Sequence, residues 1–338
     1  MKNGKAEMAY VGATPWHGLG QRLEAGASID TWAEAAGMDW RIQRSVVRFA
    51  TERGAYLTSH YVTMDDKHVL LRSDTKQPLS VVSDKYQVVQ PRQVLEFFRD
   101  LTDTAGFVLD TAGTLFGGRK FWAMANVGAE ASIGDPKDKV LGRLLCSTSC
   151  DGSAATEARF VCERVVCNNT LQVALAESQG SKVRVTHRSV FRADEVKKEL
   201  KIELLERFDA FIAEMRALAA TPLSVAEARL ATAVLVEPKA LELEPEALAK
   251  LTAKRQVQEI DYLADGQAIG SSLDGAQGTA WGWLNAVTEH VDHRARARVQ
   301  DNRLDSAWFG RGDALKSRAL AMLQDDRTMD AIRERALA

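Results

Sequence analysis

The chain has 338 residues, enough for about two domains that each bury a core of their own. Its 46% hydrophobic and 27% charged content is that of a folded globular protein and excludes an intrinsically disordered one. Net charge is -2, split as 24 Lys and Arg against 21 Asp and Glu in residues 1–192 (+3) and 20 against 25 in the remainder (-5), so neither part is basic enough to mark a nucleic-acid binder by composition.

Residues 1–60 read as a mixed lead-in punctuated by Pro15, Gly18, Gly20 and Gly26, with Trp16, Trp32 and Trp40 anchoring it to the body. Tyr86–Gln90 is predicted as a strand, and Pro91 suits the first position of the helix that follows. Val94, Leu95, Phe98 and Leu101 give that helix an apolar stripe at 3.6 spacing. Gly106–Phe116 and Arg119–Val127 form a predicted hairpin, with Gly117-Gly118 supplying the positive-φ turn. Leu141–Ser149 is a further strand, ended by a turn at Asp151-Gly152. The stretch Arg159–Arg188 reads as a strand, a helix Leu171–Glu177 capped by Asn168-Asn169-Thr170, and a second strand, Lys182–Arg188.

Beyond Arg192 the pattern turns helical. Val196, Leu200, Leu204, Phe208, Phe211, Met215 and Leu218 step by three or four. Ser224 and Glu227 make a capping box after Thr221-Pro222, and Pro238 and Pro245 bracket another break. A helix then runs to about Leu263, and Asp265–Gly278 reads as a mobile Gly/Ser-rich loop. Trp281–His293 and Ala314–Leu323 are closing helices. The expected fold class is α+β: a mainly antiparallel, hairpin-rich sheet packed on helices in residues 1–192, then a mainly helical domain in 193–338.

The sharpest candidate surface is the strand Lys182–Arg188. Its even positions, Lys182, Arg184, Thr186 and Arg188, share one face, and cations two residues apart on a strand stand roughly 6.6 Å from each other. Such a row can follow a phosphate backbone, and Arg192 extends it with no acidic residue between. The plainer reading is a solvated edge whose charges discourage aggregation. On a functional reading, one of Asn168 and Asn169 caps the helix while the other contacts a phosphate or base. Arg164 and Arg159 fall on opposite faces of the preceding strand, so both line one groove only if a bulge intervenes. Arg119 and Lys120 form a basic hairpin tip, and Trp122 could stack a base but fits a core position better.

The cysteine spacing C-x3-C-x11-C-x4-C suits buried small hydrophobes better than zinc knuckles, and it is not a secreted disulfide framework. His290, Asp292 and His293 could hold a metal, but Arg294, Arg296 and Arg298 follow at once and would repel a cation. GTLFGGRK lacks phosphate-loop spacing, and neither G-x-S-x-G nor H-E-x-x-H occurs. No catalytic residue, metal or cofactor is therefore assigned. No 18-residue apolar run occurs, so no transmembrane helix is predicted and no membrane partner is expected. MKNGKAEMAY lacks the apolar core of a signal peptide, which makes the cytoplasm the expected compartment.

Several segments together resemble one family of phage- and plasmid-borne proteins catalogued as a domain of unknown function. They are Pro15–Gly20, Val82–Pro91, Arg164–Leu171, Asn285–His293, and Phe309–Gly312 with Leu315-Lys316. The resemblance covers nearly the whole chain. It implies a remote likeness to phage single-strand annealing proteins, which pack a curved hairpin sheet on a helix, assemble as rings or filaments and need no nucleotide. The function so implied is single-stranded DNA binding and annealing in recombination or replication by a homo-oligomer. Two other classes compete: a metal-dependent enzyme acting on nucleic acid, and an interaction protein that inhibits a host defence system.

Overall fold

The computed structural model describes residues 6–15, 18–51, 61–167, 169–172, 182–189, 192 and 204–337. The fold is α+β. Its larger sheet holds β1 (Met8–Val11), β2 (Gln21–Leu23), β6 (Val108–Leu115), β7 (Lys120–Ser132), β8 (Lys139–Ser149), β9 (Thr156–Arg164), β10 (Asn169–Gln172) and β11 (Lys182–Val185). The strand order is β10-β9-β8-β7-β6-β1-β2, with β11 also paired to β9. β6 pairs antiparallel with β1 and β7, and β9 with β10 and β11, while β1 and β2 run parallel, so the sheet is mixed. A second, antiparallel sheet joins β3 (Ile42–Ala50), β4 (Tyr61–Arg72) and β5 (Pro78–Ser83).

Two compact units divide the chain. Unit 1 takes Met1–Gly128, Leu144–Arg159 and Lys182–Ile202, and unit 2 takes Ala129–Arg143, Phe160–Ser181 and Glu203–Ala338. In unit 1, α1 (Ile29–Ala35) and α2 (Pro91–Ala105) accompany the strands. Pro91 opens α2 as expected, and Val94, Leu95, Phe98 and Leu101 are buried along the predicted stripe. Trp32 and Trp40 are buried anchors, whereas Trp16 and His17 lie outside the described residues.

The β6–β7 hairpin turns at Gly117 (φ 68°) and Gly118 (φ 99°), the left-handed region that glycine enters at no steric cost. At Gly118 a side chain is excluded twice over, because a Cβ would meet Trp40 Cζ2 at 2.5 Å. Both faces of β7 are buried: Phe121, Ala123 and Ala125 on one, Trp122 and Met124 on the other. Trp122 is thus a core residue and offers no ring to a base.

Unit 2 adds α3 (Leu204–Ala220), α4 (Val225–Val236), α5 (Pro245–Thr252), α6 (Arg255–Tyr262), α7 (Ala280–Glu289), α8 (Gln300–Phe309), α9 (Arg311–Gln324) and α10 (Asp326–Leu337). The Ser224–Glu227 capping box opens α4 with both reciprocal bonds made. α7 is buried on nearly every side, the burial expected of a central helix. It ends in a π turn, His290–Arg294, that turns successive polar side chains in different directions.

Four expectations need correction. Tyr86–Gln90 is extended but unpaired to a sheet; the strand is the preceding β5. Residues Asn169–Gln172 are β10, not the start of a helix, because their backbone pairs with Val161–Arg164 of β9. The remainder of that predicted helix, and residues 193–203 of the long predicted one, lie outside the described residues. The helix expected up to Leu263 is broken between Thr252 and Arg255. Lastly, Asp265–Gly278, expected as a mobile loop, is a hydrogen-bonded run: the end of a π turn (Leu263–Gln267), then successive turns with Ala268 and Ala276 buried.

Candidate nucleic-acid interface

In β11 the predicted alternation holds where side chains are described. Val183 is buried, Arg184 and Thr186 are exposed, and Arg188 is exposed in the turn that follows the strand. The strand itself stops at Val185, so Arg188 belongs to a turn and not to a continuous comb. Arg184 lies opposite Glu157 of β9, with Nε 3.4 Å from the carboxylate, an exposed cross-strand pair worth about 0.2–1 kcal/mol.

This turn forms one wall of an open cleft of about 1040 Å3 within unit 1. Lys85, Arg184 and Arg188 supply its charge, and no acidic side chain is among its lining residues. Lys85 and Arg188 have no carboxylate partner among the described residues. Between these cations lies a ring pair: Tyr86 stacks on His187 with centroids 4.5 Å apart and planes 18° from parallel. Hydrogen bonds fix both rings. Tyr86 donates to the Ser149 carbonyl (3.0 Å), and the His187 ring nitrogens lie 3.0 Å from the carbonyls of Gln87 and Ala154. The Gln87 amide donates to the His187 carbonyl at 2.7 Å, tying the extended Tyr86–Gln90 segment to the turn. Burial, with smaller contributions from the charges of Cys150 and Asp151, pushes the Tyr86 phenol up, so it stays protonated at neutral pH.

The other sequence-predicted residues are scattered. Arg119 is exposed at the β6–β7 tip and Lys120 is half-buried beside it. Arg192 is exposed, the Lys182 backbone pairs with Arg159 in β11, and the side chains of Lys182 and Asn169 and the whole of Asn168 lie outside the described residues. Asn169 pairs with Arg164 in the β-ladder and so caps no helix.

Arg164 leaves the candidate set. It is 3% exposed and forks onto Asp138, Nε to Oδ1 at 2.5 Å and Nη2 to Oδ2 at 2.8 Å. Its guanidinium also donates to the carbonyls of Ile269 and Gly270 and sits 5.5 Å from the Trp281 ring centroid. Trp281 Nε1 donates to Asp138 Oδ2 at 3.0 Å. Every polar atom of this cluster is used inside unit 2, which leaves nothing to offer a phosphate.

A second buried cluster joins three of the resembling segments. Asp292 accepts from the Thr170 amide (2.8 Å) and hydroxyl (3.2 Å), and its other oxygen lies 2.9 Å from Lys316 Nζ. Lys316 also donates to the Thr170 carbonyl at 2.6 Å. Asp292 and Lys316 are 0% and 2% exposed in side chain, so a metal at Asp292 would have to displace an ammonium already in place. No group of three or more metal-ligating side chains occurs among the described residues. Residue spacing could not reveal this cluster, since Thr170 and Lys316 stand 146 positions apart.

All four cysteines are buried free thiols. Burial pushes Cys146 up to about 12 and Cys150, also beside Asp151, up to about 12, which makes them packing groups and not thiolates.

An α+β fold with a mixed sheet, an open basic cleft and a buried ion-pair framework is thus the class that the structure defines. The chain belongs to the family described as a domain of unknown function (DUF932), whose model matches residues 78–308. No curated protein and no solved structure matches the chain. No described helix is long and apolar enough to cross a membrane.

Proposed function

We propose that the protein binds single-stranded DNA in the unit 1 cleft and acts in strand annealing, without a cofactor of its own. The observation that carries this reading is the ring pair Tyr86–His187 flanked by Lys85, Arg184 and Arg188 in one open cleft. Lys85 and Arg188, without a carboxylate partner among the described residues, and Arg184, only loosely paired to Glu157, suit phosphates, and a fixed aromatic platform suits unstacked bases of any sequence. Annealing presents two strands at once, which calls for a homo-oligomer. The outer part of the β3–β4 ribbon supports that side of the reading, because Val46, Phe49, Tyr61, Val62 and Met64 are each 40–52% exposed.

Binding of oligo-dT measured against salt tests the proposal. Affinity should fall steeply with salt, and the Lys85→Ala/Arg184→Ala/Arg188→Ala variant should flatten the slope by about two to three units. Absence of binding at low salt would sink it. Particle mass in solution, with and without oligo-dT, tests the oligomer: a DNA-responsive assembly is expected, and an indifferent monomer counts against annealing.

A further inference from the structure

Unit 2 contains a second basic pocket, of about 360 Å3, that this DNA reading does not use. Arginines reach it from three places. Arg255 opens α6, Arg294 and Arg296 come from the π turn and the residues just after it, and Arg311 opens α9. Arg294 is matched internally, donating to Glu289 at 2.8 and 3.0 Å. Arg255, Arg296 and Arg311 have no carboxylate partner among the described residues. The one carboxylate in the lining, Glu259, lies 2.9 Å from His290 Nδ1, and its single negative charge faces four arginines. The lining therefore carries more positive charge than its own groups neutralise.

The floor differs from the rim. His290 is 7% exposed and Val291, Gly312 and Leu315 are buried, so a ligand seated here would leave bulk water on one side. Burial lowers the His290 pKa, Glu259 opposes that, and Arg255 and Arg294 add to the lowering. The ring is uncharged at neutral pH and offers a neutral polar edge. Gly312 lets α9 approach closely, since a Cβ there would meet Val291 Cγ1 at 2.6 Å. That approach sets the N-terminal end of α9, with Arg311, against the pocket.

Unmatched cations crowded at one rim repel each other, and a bound anion relieves that repulsion. Planar guanidinium forks fit phosphate oxygens in pairs, and a helix N-terminus adds a favourable dipole. The volume lies at the small end of ligand pockets, which fits a single small molecule and not a run of nucleic acid. We infer that this pocket is a binding site for a small phosphate monoester, either free phosphate or the phosphate of a mononucleotide.

Calorimetric titration of the full chain at low ionic strength tests this, using inorganic phosphate, thymidine 5′-monophosphate, thymidine and sulfate as probes. Thymidine 5′-monophosphate should bind and thymidine should not. Arg255→Ala and Arg311→Ala should each weaken binding by about tenfold, while Arg318→Ala, an exposed arginine of α9 outside the pocket, should change nothing. Equal affinity for phosphate and the nucleotide identifies free phosphate as the ligand, and at least about tenfold preference for the nucleotide identifies the nucleotide. Binding that survives Arg255→Ala/Arg311→Ala overturns the site. So does a lack of binding to either phosphate compound below about 1 mM. Sulfate binding as tightly as phosphate overturns the monoester assignment. The Arg184→Ala/Arg188→Ala variant should retain binding of thymidine 5′-monophosphate, which separates this site from the DNA cleft.

Discussion

Arg184 in unit 1 and Lys316 in unit 2 carry the same charge in opposite surroundings. Arg184 is 62% exposed and meets Glu157 loosely at 3.4 Å, whereas Lys316 is 2% exposed and closes on Asp292 and Thr170. An exposed pair contributes about 0–1 kcal/mol and leaves its cation open to exchange for a phosphate. A buried cation must be matched on every side, and removing its partner costs about 3–5 kcal/mol. The contrast is therefore between two uses of charge and not between two whole units: Lys316 and Arg164 are matched ions that fix packing, as Arg72 with Glu7 and Asp74 is in unit 1, whereas Arg184 and Arg188 are displayed where a ligand can claim them. Closeness in sequence does not distinguish the two uses. Arg164 and Arg184 flank the same stretch of chain, yet only Arg184 is accessible.

The largest effect should come from Lys316→Met, which leaves Asp292 buried without its cation. Urea denaturation should show a loss of about 3–5 kcal/mol, partly recovered by adding Asp292→Asn. An unchanged midpoint would erase the contrast between buried and displayed cations. Arg164→Ala should cost about 3 kcal/mol by the same route, and Arg164→Lys should recover less than half, since an ammonium cannot fork onto both Asp138 oxygens.

A smaller effect should come from Asp261 of α6, a half-buried carboxyl. Burial raises its pKa to about 6, against weaker lowering by Thr232 and Arg229. The folded form then holds a proton between about pH 4 and 6 that the unfolded chain has released, so stability falls as pH rises through that window. Asp261→Asn should raise stability by about 1 kcal/mol at pH 8 and by nothing at pH 4, once solvent screening of this half-buried group is allowed for. Equal gains at both pH values would show that proton linkage is not the cause. The smallest effect on folding, within about 0.5 kcal/mol, should come from Arg184→Ala/Arg188→Ala, even as the oligo-dT salt slope drops by about two.

Local features of the fold were legible because their causes lie within a few residues. Pro91 at a helix start, the Ser224–Glu227 capping box and the Gly117-Gly118 turn each follow from backbone sterics or a nearby hydrogen bond. Asn168-Asn169-Thr170 misled for the complementary reason. Its cap-like composition is outweighed by the ladder to β9 and the bond from the Thr170 amide to Asp292, both made by distant chain. The basic strand at Arg184 was visible in sequence, but Tyr86 and Lys85 reach the same cleft from another segment entirely. The arginine pocket likewise draws on three separated helix ends, and no spacing rule joins them.

The turns of Asp265–Gly278 have a consequence for how the folded chain meets proteases. By composition this is the stretch most inviting to cleavage, being rich in glycine and serine. Arg164 holds the carbonyls of Ile269 and Gly270, and Glu289 accepts from the Ile269 amide at 2.7 Å, so an extended substrate conformation requires breaking these part-buried bonds first. Nicking there should therefore report local opening of unit 2 and not the softness of a linker. In the wild-type chain the stretch should outlast far less glycine-rich segments, and Arg164→Ala should turn it into an early cut.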